Sequence, residues 1–321
     1  MIEREIIIVG GGPAGATAAW KLKQAGRDVL ILDKASFPRV KLCAGWVTPR
    51  VWHYLQIKPK DYPHSLIKLK KLHYYIRDRH IPLPTRQYSI RRYEFDHWLL
   101  QRSGAEVQQH RVQHIRREGN HFIIDDRYRC QYLIGAGGTN CPVYRTFFER
   151  DNVRDPFKRI ATMELEYQTE SHDPNCYLWF FDNDLSGYSW YVPKGNGYVN
   201  IGIGGRFADL KVKGQTIQQH WQWFANKLEL KGLLNNIPRQ VKGYNYYLHD
   251  DHHTVQKGNV FIVGDAAGLG TVDMGEGIAP AIQSGILAAD SILTGKPYSI
   301  KMVHKYSFVD LLFWWRFGFG N

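Results

Sequence analysis

Ile6 to Lys34, IIIVGGGPAGATAAWKLKQAGRDVLILDK, decides how the rest of the chain is read. Ile6, Ile7, Ile8 and Val9 form an apolar run with no polar alternation, as expected of a parallel strand covered on both faces. Gly10, Gly12 and Gly15 then give G-x-G-x-x-G, and Ala16 to Gln24 reads as a helix. In such a unit the first glycine permits a tight turn, the second lets a pyrophosphate approach the backbone, and the third allows close packing of helix on sheet. The helix start offers unpaired N–H groups and a partial positive charge to phosphates. Gly26 ends the helix, Val29 to Leu32 make a second buried strand, and Asp33 falls where a carboxylate meets a ribose 2′-hydroxyl, roughly twenty residues beyond the glycines. Strand, glycines, helix, strand and acid together predict dinucleotide binding without choosing between FAD and NAD(P).

Outward from this stretch, 321 residues suffice for two lobes. The chain contains 10 Trp and 19 Tyr, which predicts a large apolar or ring-stacking surface. The net charge of +12 would suit nucleic acid, an anionic membrane face or an acidic ligand. The cations are dispersed (Lys58, Lys60, Lys68, Arg77, Arg91 among them) and no nucleic-acid motif accompanies them, so a solvated basic face is favoured, with peripheral membrane contact or a phosphorylated ligand second and nucleic acid a distant third. Four cysteines, Cys43, Cys130, Cys141 and Cys176, show no C-x-x-C spacing and read as reduced thiols of a cytosolic protein. No run approaches the ~20 apolar residues of a membrane span. The tail FVDLLFWWRFGF, Phe308 to Phe319, reads as core packing or as an interfacial anchor. No metal site is expected, and nothing fixes an oligomeric state.

Following the chain, Arg39 and Lys41 are placed to neutralise a pyrophosphate, and Cys43 lies among small residues that suit a flat ring. Thr48 and Pro49 open a helix to Leu55. Leu66 to Ile76, with Ile81 and Leu83, reads as a hairpin beginning an antiparallel sheet. Arg92 stands at the start of a helix whose Phe95, Trp98 and Leu99 share a face. Val107 to Ile115, Phe122 to Asp125 and Tyr128 to Ile134 read as short strands, the last entering the turn Gly135-Ala136-Gly137-Gly138. Ile160 to Tyr167, Tyr177 to Phe181, Ser189 to Val192 and Tyr198 to Ile203 read as a sheet with one apolar wall, a natural place for a bulky substrate. Ile217 to Leu228 is an amphipathic helix. Gly258 to Gly268 is a buried strand ending in Gly264-Asp265, and Met274-Gly275-Glu276-Gly277 leads into a small-residue helix, Ile278 to Leu293.

The opening unit, Arg92-x-x-Phe95-Asp96, the Gly135 to Gly138 turn and Gly264-Asp265-Ala266-Ala267-Gly268 resemble the FAD-dependent oxidoreductases built like para-hydroxybenzoate hydroxylase. Lys41-x-Cys43-Ala44-Gly45 and Tyr188-Ser189-Trp190-Tyr191-Val192-Pro193-Lys194 resemble their geranylgeranyl reductase branch. The pattern departs at Ala44, where the branch often has glycine, at Val192 in place of phenylalanine, at Gly137 in place of aspartate, and between Gly268 and Gly275, where a proline is missing. The resemblance implies an α/β fold with antiparallel β, in which a Rossmann-like FAD-binding domain (1–65, 88–158 and 250–300) is interleaved with an antiparallel-sheet substrate domain (66–87 and 159–249), followed by the aromatic tail, 301–321. It implies FAD along Gly10, Gly12, Pro13, Ala14 and Gly15, with Asp33 and Lys34 at the adenosine ribose. Lys41, Arg92, Gly137, Gly264 and Asp265 would flank the pyrophosphate and ribityl chain. Gly275, Gly277 and Ile278 would face the pyrimidine edge of the flavin, and Cys43, Ala44 and Gly45 its other side. Trp46, Tyr188, Trp190 and Pro193 would line the cavity for an apolar, isoprenoid-like substrate. NAD(P)H or another donor would visit transiently, for lack of a second nucleotide-binding unit, and Cys43 or a water would supply a proton. The competing readings are an FAD-dependent monooxygenase of an aromatic or lipid, and a non-catalytic flavin module that senses redox state or docks on a membrane.

Overall fold

The computed structural model of the protein describes residues 1–77, 79–170 and 173–307, so Phe308 to Phe319 lies outside the described residues. Ile6 to Val9 is the buried inner half of the strand Ile2–Val9. It runs parallel to Val29–Asp33 on one side and to Tyr128–Gly135 on the other, pairing Ile7 with Leu30 and with Leu133. This central pair extends into an eight-stranded sheet, whose path runs Gln256–Lys257, Val260–Ile262, Tyr128–Gly135, Ile2–Val9, Val29–Asp33 and Glu106–Gln109. The helices Pro13–Gln24, Arg92–Arg102 and Ile278–Thr294 cover it. The first and last of these pack so closely that a Cβ on Gly285 would stand 2.3 Å from the Ala14 carbonyl oxygen.

A seven-stranded sheet forms the second layer, in the order Gly243–Tyr247, Arg159–Gln168, Tyr198–Arg206, Gly187–Pro193, Cys176–Phe180, Lys71–Ile76 and Arg79–Pro84. All its pairings are antiparallel except Cys176–Phe180 with Lys71–Ile76. The helix Ile217–Leu230 packs Trp221, Phe224 and Leu228 on its far face and begins at a capping box between Thr216 and Gln219. A third sheet joins Trp46–Val47, Tyr88–Ile90 and Leu66–Lys68.

Two stretches differ from the sequence reading. The alternation over Leu66 to Ile76 is divided between two sheets: Leu66–Lys68 pairs with Tyr88–Ile90, and the hairpin begins only at Lys71, closing Ile76 against Arg79. Val107 to Ile115 is two strands, Glu106–Gln109 and Ile115–Glu118. The Asp125 carboxylate accepts hydrogen bonds from the Gln113 and His114 N–H groups, drawing the chain out of the sheet between them. Among the described residues no helix is long and apolar enough to cross a membrane. All four cysteines are free; Cys130, Cys141 and Cys176 are buried and Cys43 half-buried.

Candidate functional site

A cavity of about 870 Å³ lies between the parallel sheet and the seven-stranded sheet. One wall is the glycine turn after Ile2–Val9. Gly10 has φ +113, and a Cβ there would stand 2.3 Å from the Ala136 carbonyl oxygen, so only glycine lets this turn lie against the Gly135 to Gly138 turn. Gly12 is the N-cap of Pro13–Gln24, with no capping side chain and no acidic residue in the first turn. This helix start opens on the cavity, and its N–H groups and positive dipole end fit a phosphate. Asp33 is 7% exposed at the end of Val29–Asp33; its oxygens accept from Gly11 N at 2.7 Å and Ala35 N at 2.9 Å. Each oxygen retains lone-pair capacity for a hydroxyl donor, and Asp33 lines the cavity.

The opposite end of this wall is built around charges. Arg92 and Asp96, one helical turn apart, form a buried bidentate pair at 2.6 and 2.8 Å, with Arg39 at 3.6 Å from the same carboxylate. Burial opposes the Arg92 charge, but Asp96 and the Cys43 side chain hold its pKa above the ordinary value. Asp265, just beyond Val260–Ile262, accepts from the Tyr244 hydroxyl at 2.9 Å, and that hydroxyl also meets Thr139 Oγ1 at 3.0 Å. Lys41 Nζ sits 3.3 Å above the Tyr244 ring, and burial lowers its pKa. Lys194 donates to the carbonyls of Ala44 and, at 2.8 Å, Ile90, and so fixes the Cys43 loop; burial lowers its pKa to about 8. Gly45 in this loop has φ +59, and a Cβ would stand 2.2 Å from the Ile90 oxygen.

The far wall is aromatic. Tyr188 stacks on Phe180 at 5.0 Å and donates to the Met274 carbonyl at 2.6 Å. Trp190 lies 5.7 Å from Tyr188, with its indole N–H held by Asn200 Oδ1 at 2.7 Å. Asn200 in turn reaches the Cys43 carbonyl at 3.3 Å, which couples this wall to the loop. Replacing Lys194 by methionine removes the bonds to Ala44 and Ile90 that tie that loop to Tyr88–Ile90. The expected loss is about 2–4 kcal/mol in urea unfolding, with faster labelling of Cys43 by a thiol reagent.

Of the residues singled out from sequence, Gly10, Gly12, Pro13, Ala14, Asp33, Lys34, Lys41, Cys43, Ala44, Trp46, Arg92, Gly137, Tyr188, Trp190, Gly264, Asp265, Gly275, Gly277 and Ile278 all line this one cavity. Gly15, Gly45 and Pro193 are not part of the lining. Gly15 is a packing position, where a Cβ would fall 1.9 Å from the Gly10 oxygen. Pro193 is buried at the end of its strand and accepts from Ser89 Oγ at 2.7 Å, so its expected place against substrate is corrected to a structural one. Arg92 is no surface arginine but a buried one. The sequence reading passed over Thr162, Glu164, Tyr244 and Tyr246, which also line the cavity. One signal was available: Glu164 is a charged residue directly after the uncharged run Ile160-Ala161-Thr162-Met163, with which it forms the buried part of the strand.

Comparison with known proteins agrees with this geometry. Residues 8–44 match the NAD(P)-binding Rossmann-like domain, and residues 88–293 match the FAD binding domain. An uncharacterized protein of Methanosarcina barkeri is 31% identical over 310 residues, covering 91% of this chain and 75% of that protein. A digeranylgeranylglycerophospholipid reductase of Methanopyrus kandleri is 26% identical over 312 residues, covering 90% and 76%. A crystal structure of a geranylgeranyl bacteriochlorophyll reductase-like protein from Thermoplasma acidophilum superposes with a TM-score of 0.77 at 22% identity, covering 94% of this chain and 81% of that one. The uncapped start of Pro13–Gln24, the bare backbone at Gly12 and the carboxylate of Asp33 fit the phosphates and ribose of such a dinucleotide. The chain belongs to the family of the FAD binding domain, and proteins named as geranylgeranyl or digeranylgeranylglycerophospholipid reductases are among those it is similar to.

Proposed function

We propose that the protein reduces carbon–carbon double bonds of an isoprenoid or similarly apolar substrate, with electrons that NAD(P)H or another reduced donor delivers transiently. The observation that carries this reading is the continuity of one cavity between a dinucleotide cradle and an aromatic wall. Tyr188, Trp190 and Phe180 present ring faces and edges and few polar atoms, because the Tyr188 hydroxyl and the Trp190 N–H are already bonded within the protein. These ring surfaces suit a hydrocarbon chain.

Bound FAD supplies hydride transfer at the flavin ring. The chain does the rest. Gly10, Gly12 and the first turn of Pro13–Gln24 hold the phosphates, while Asp33 takes the ribose and Asp265 a hydroxyl of the linking chain. Tyr188 and Trp190 orient the substrate and displace water from it. The chain's net charge of +12 suits contact with an anionic lipid surface from which such a substrate would enter.

The test is anaerobic reduction of the FAD-loaded protein by NADH, NADPH or dithionite, followed by addition of geranylgeraniol in detergent or of oxygen. Reoxidation by the prenyl alcohol, with a saturated product, is the expected result. Oxygen consumed in proportion to a hydroxylated product would replace this reading with the monooxygenase one. Retention of FAD with no reoxidation by any substrate would favour a non-catalytic module.

A further inference from the structure

The cradle leaves one buried carboxyl group of the cavity unused. Glu164 sits in the middle of Arg159–Gln168 and is 4% exposed. Its register partner is Gly202, which pairs on its other side with Trp190. Because Gly202 has no side chain, the Trp190 indole lies across it: a Cβ there would stand 2.2 Å from Trp190 Cζ2 and 2.8 Å from Glu164 Cβ. The carboxyl and the indole therefore line the cavity side by side. Other elements bring charge toward Glu164: the Cys43 loop contributes Lys41 and the Cys43 N–H, the helix start Arg92, the end of Gly187–Pro193 Lys194, and Gly243–Tyr247 the Tyr246 phenol. The two ammonium groups are engaged elsewhere, Lys194 with the Ala44 and Ile90 carbonyls and Lys41 over the Tyr244 ring. Cys43 Sγ accepts from Gly45 N at 3.4 Å and from the Arg92 guanidinium, which makes it an acceptor in this arrangement.

We propose that Glu164 is the proton donor of this cavity, carrying the proton that completes reduction of the double bond. This rests on the reductase reading above. One carbon of the double bond takes the hydride from the reduced flavin and the other takes the Glu164 proton. The π bond, the carboxyl O–H bond and the bond that held the hydride on the reduced flavin break, two C–H bonds form, the flavin is left oxidised by two electrons, and the carboxylate left behind is charged beside Lys41 until water reprotonates it. The environment suits the role: burial raises the Glu164 pKa to about 7, despite the opposing pull of Lys41, the Cys43 N–H, Lys194 and Arg92, so the group exchanges a proton near neutrality.

Two measurements on the FAD-loaded protein test this. In the first, infrared difference spectra are recorded between pH 5 and pH 9, without substrate, for the wild type, Glu164→Gln and Glu164→Asp. A protonated-carboxyl band that titrates near neutrality, and that Glu164→Gln alone removes, is expected; a carboxylate ionised throughout the range overturns the proposal. In the second, dithionite-reduced protein is reoxidised anaerobically by geranylgeraniol. The rate should fall as pH rises through about 7, as the proton-bearing form is lost. Glu164→Gln should be slower by a factor of roughly 100 and lose that profile, with Glu164→Asp recovering part of the rate. A Glu164→Gln protein that keeps its FAD and reacts at the wild-type rate overturns the donor role. If wild-type protein is not reoxidised, the reductase reading and the donation step both fall, even where the infrared titration succeeds, so the two failures are told apart.

Discussion

Asp96→Ala is expected to destabilise the protein by about 3–5 kcal/mol, because it strands a buried guanidinium. Asp96 is fully buried and holds Arg92 through two hydrogen bonds, and Arg39 shares the same carboxylate. With the carboxylate gone, the Arg92 charge keeps its desolvation cost and loses its main partner. The loss should appear in urea unfolding monitored by circular dichroism. The double variant Arg92→Met, Asp96→Leu should recover much of it, since burying apolar groups of similar size is often neutral or stabilising relative to a buried ion pair. A loss below about 1 kcal/mol in Asp96→Ala would place the pair among exposed, weak bridges and contradict its burial.

The second large effect separates two neighbouring glycines. Gly10→Ala should fail to hold FAD, with affinity down by a factor of at least roughly 100, and should unfold more readily. Its positive φ and the Ala136 oxygen at 2.3 Å leave no room for a methyl group, and strained positions of this kind cost on the order of 1–3 kcal/mol before any clash. Gly12→Ala should behave differently. A Cβ there meets only the Arg39 guanidinium, at 3.4 Å, so the flavin-free fold should keep its stability while the methyl group intrudes where a pyrophosphate approaches. The ratio of flavin to protein absorbance, read beside the unfolding midpoint of the flavin-free form, distinguishes the two. Equal stability and equal flavin content in both variants would contradict the cradle.

The opening unit was legible because everything that defines it is local. Ile6 to Val9 is a continuous apolar run, the glycines follow at once, and Asp33 lies one helix away, so spacing alone carries the geometry. Asp265 was legible for the same reason, as the end of an apolar strand. The partners of those residues were not. Tyr244 reaches Asp265 only because Gly243–Tyr247 ends the second sheet over the Gly135 to Gly138 turn, and Lys194, just past the end of Gly187–Pro193, reaches Ala44 from far along the chain. Such contacts are set by register between distant strands, on which composition and periodicity are silent. Pro193 shows the opposite error: the segment around it was read correctly as a strand of the aromatic sheet, but alternation along that strand sends Tyr188 and Trp190 to the cavity and leaves Pro193 against Ser89. Leu66 to Ile76 looked like one strand because its alternation is continuous, and the change of sheet at Leu69 and Lys70 leaves no mark on that pattern.

The order in which the parallel sheet is completed bears on how the protein is made. Ile2–Val9 finds Val29–Asp33 early in synthesis, but the Leu133 to Gly135 end of Tyr128–Gly135 keeps an open edge until Val260–Ile262 pairs with it, and the whole antiparallel sheet apart from its first hairpin lies between these two strands in sequence. The Gly264-Asp265 turn and the helix Ile278–Thr294 come later still. The nascent chain must therefore carry an unfinished strand edge while residues 136–259 are made, and the cavity closes only once the helix Ile278–Thr294 has emerged. Non-local pairings of this kind close slowly and leave aggregation-prone edges exposed meanwhile. Cofactor supply after that closure thus becomes a determinant of yield, because flavin can trap the chain in its finished topology only then.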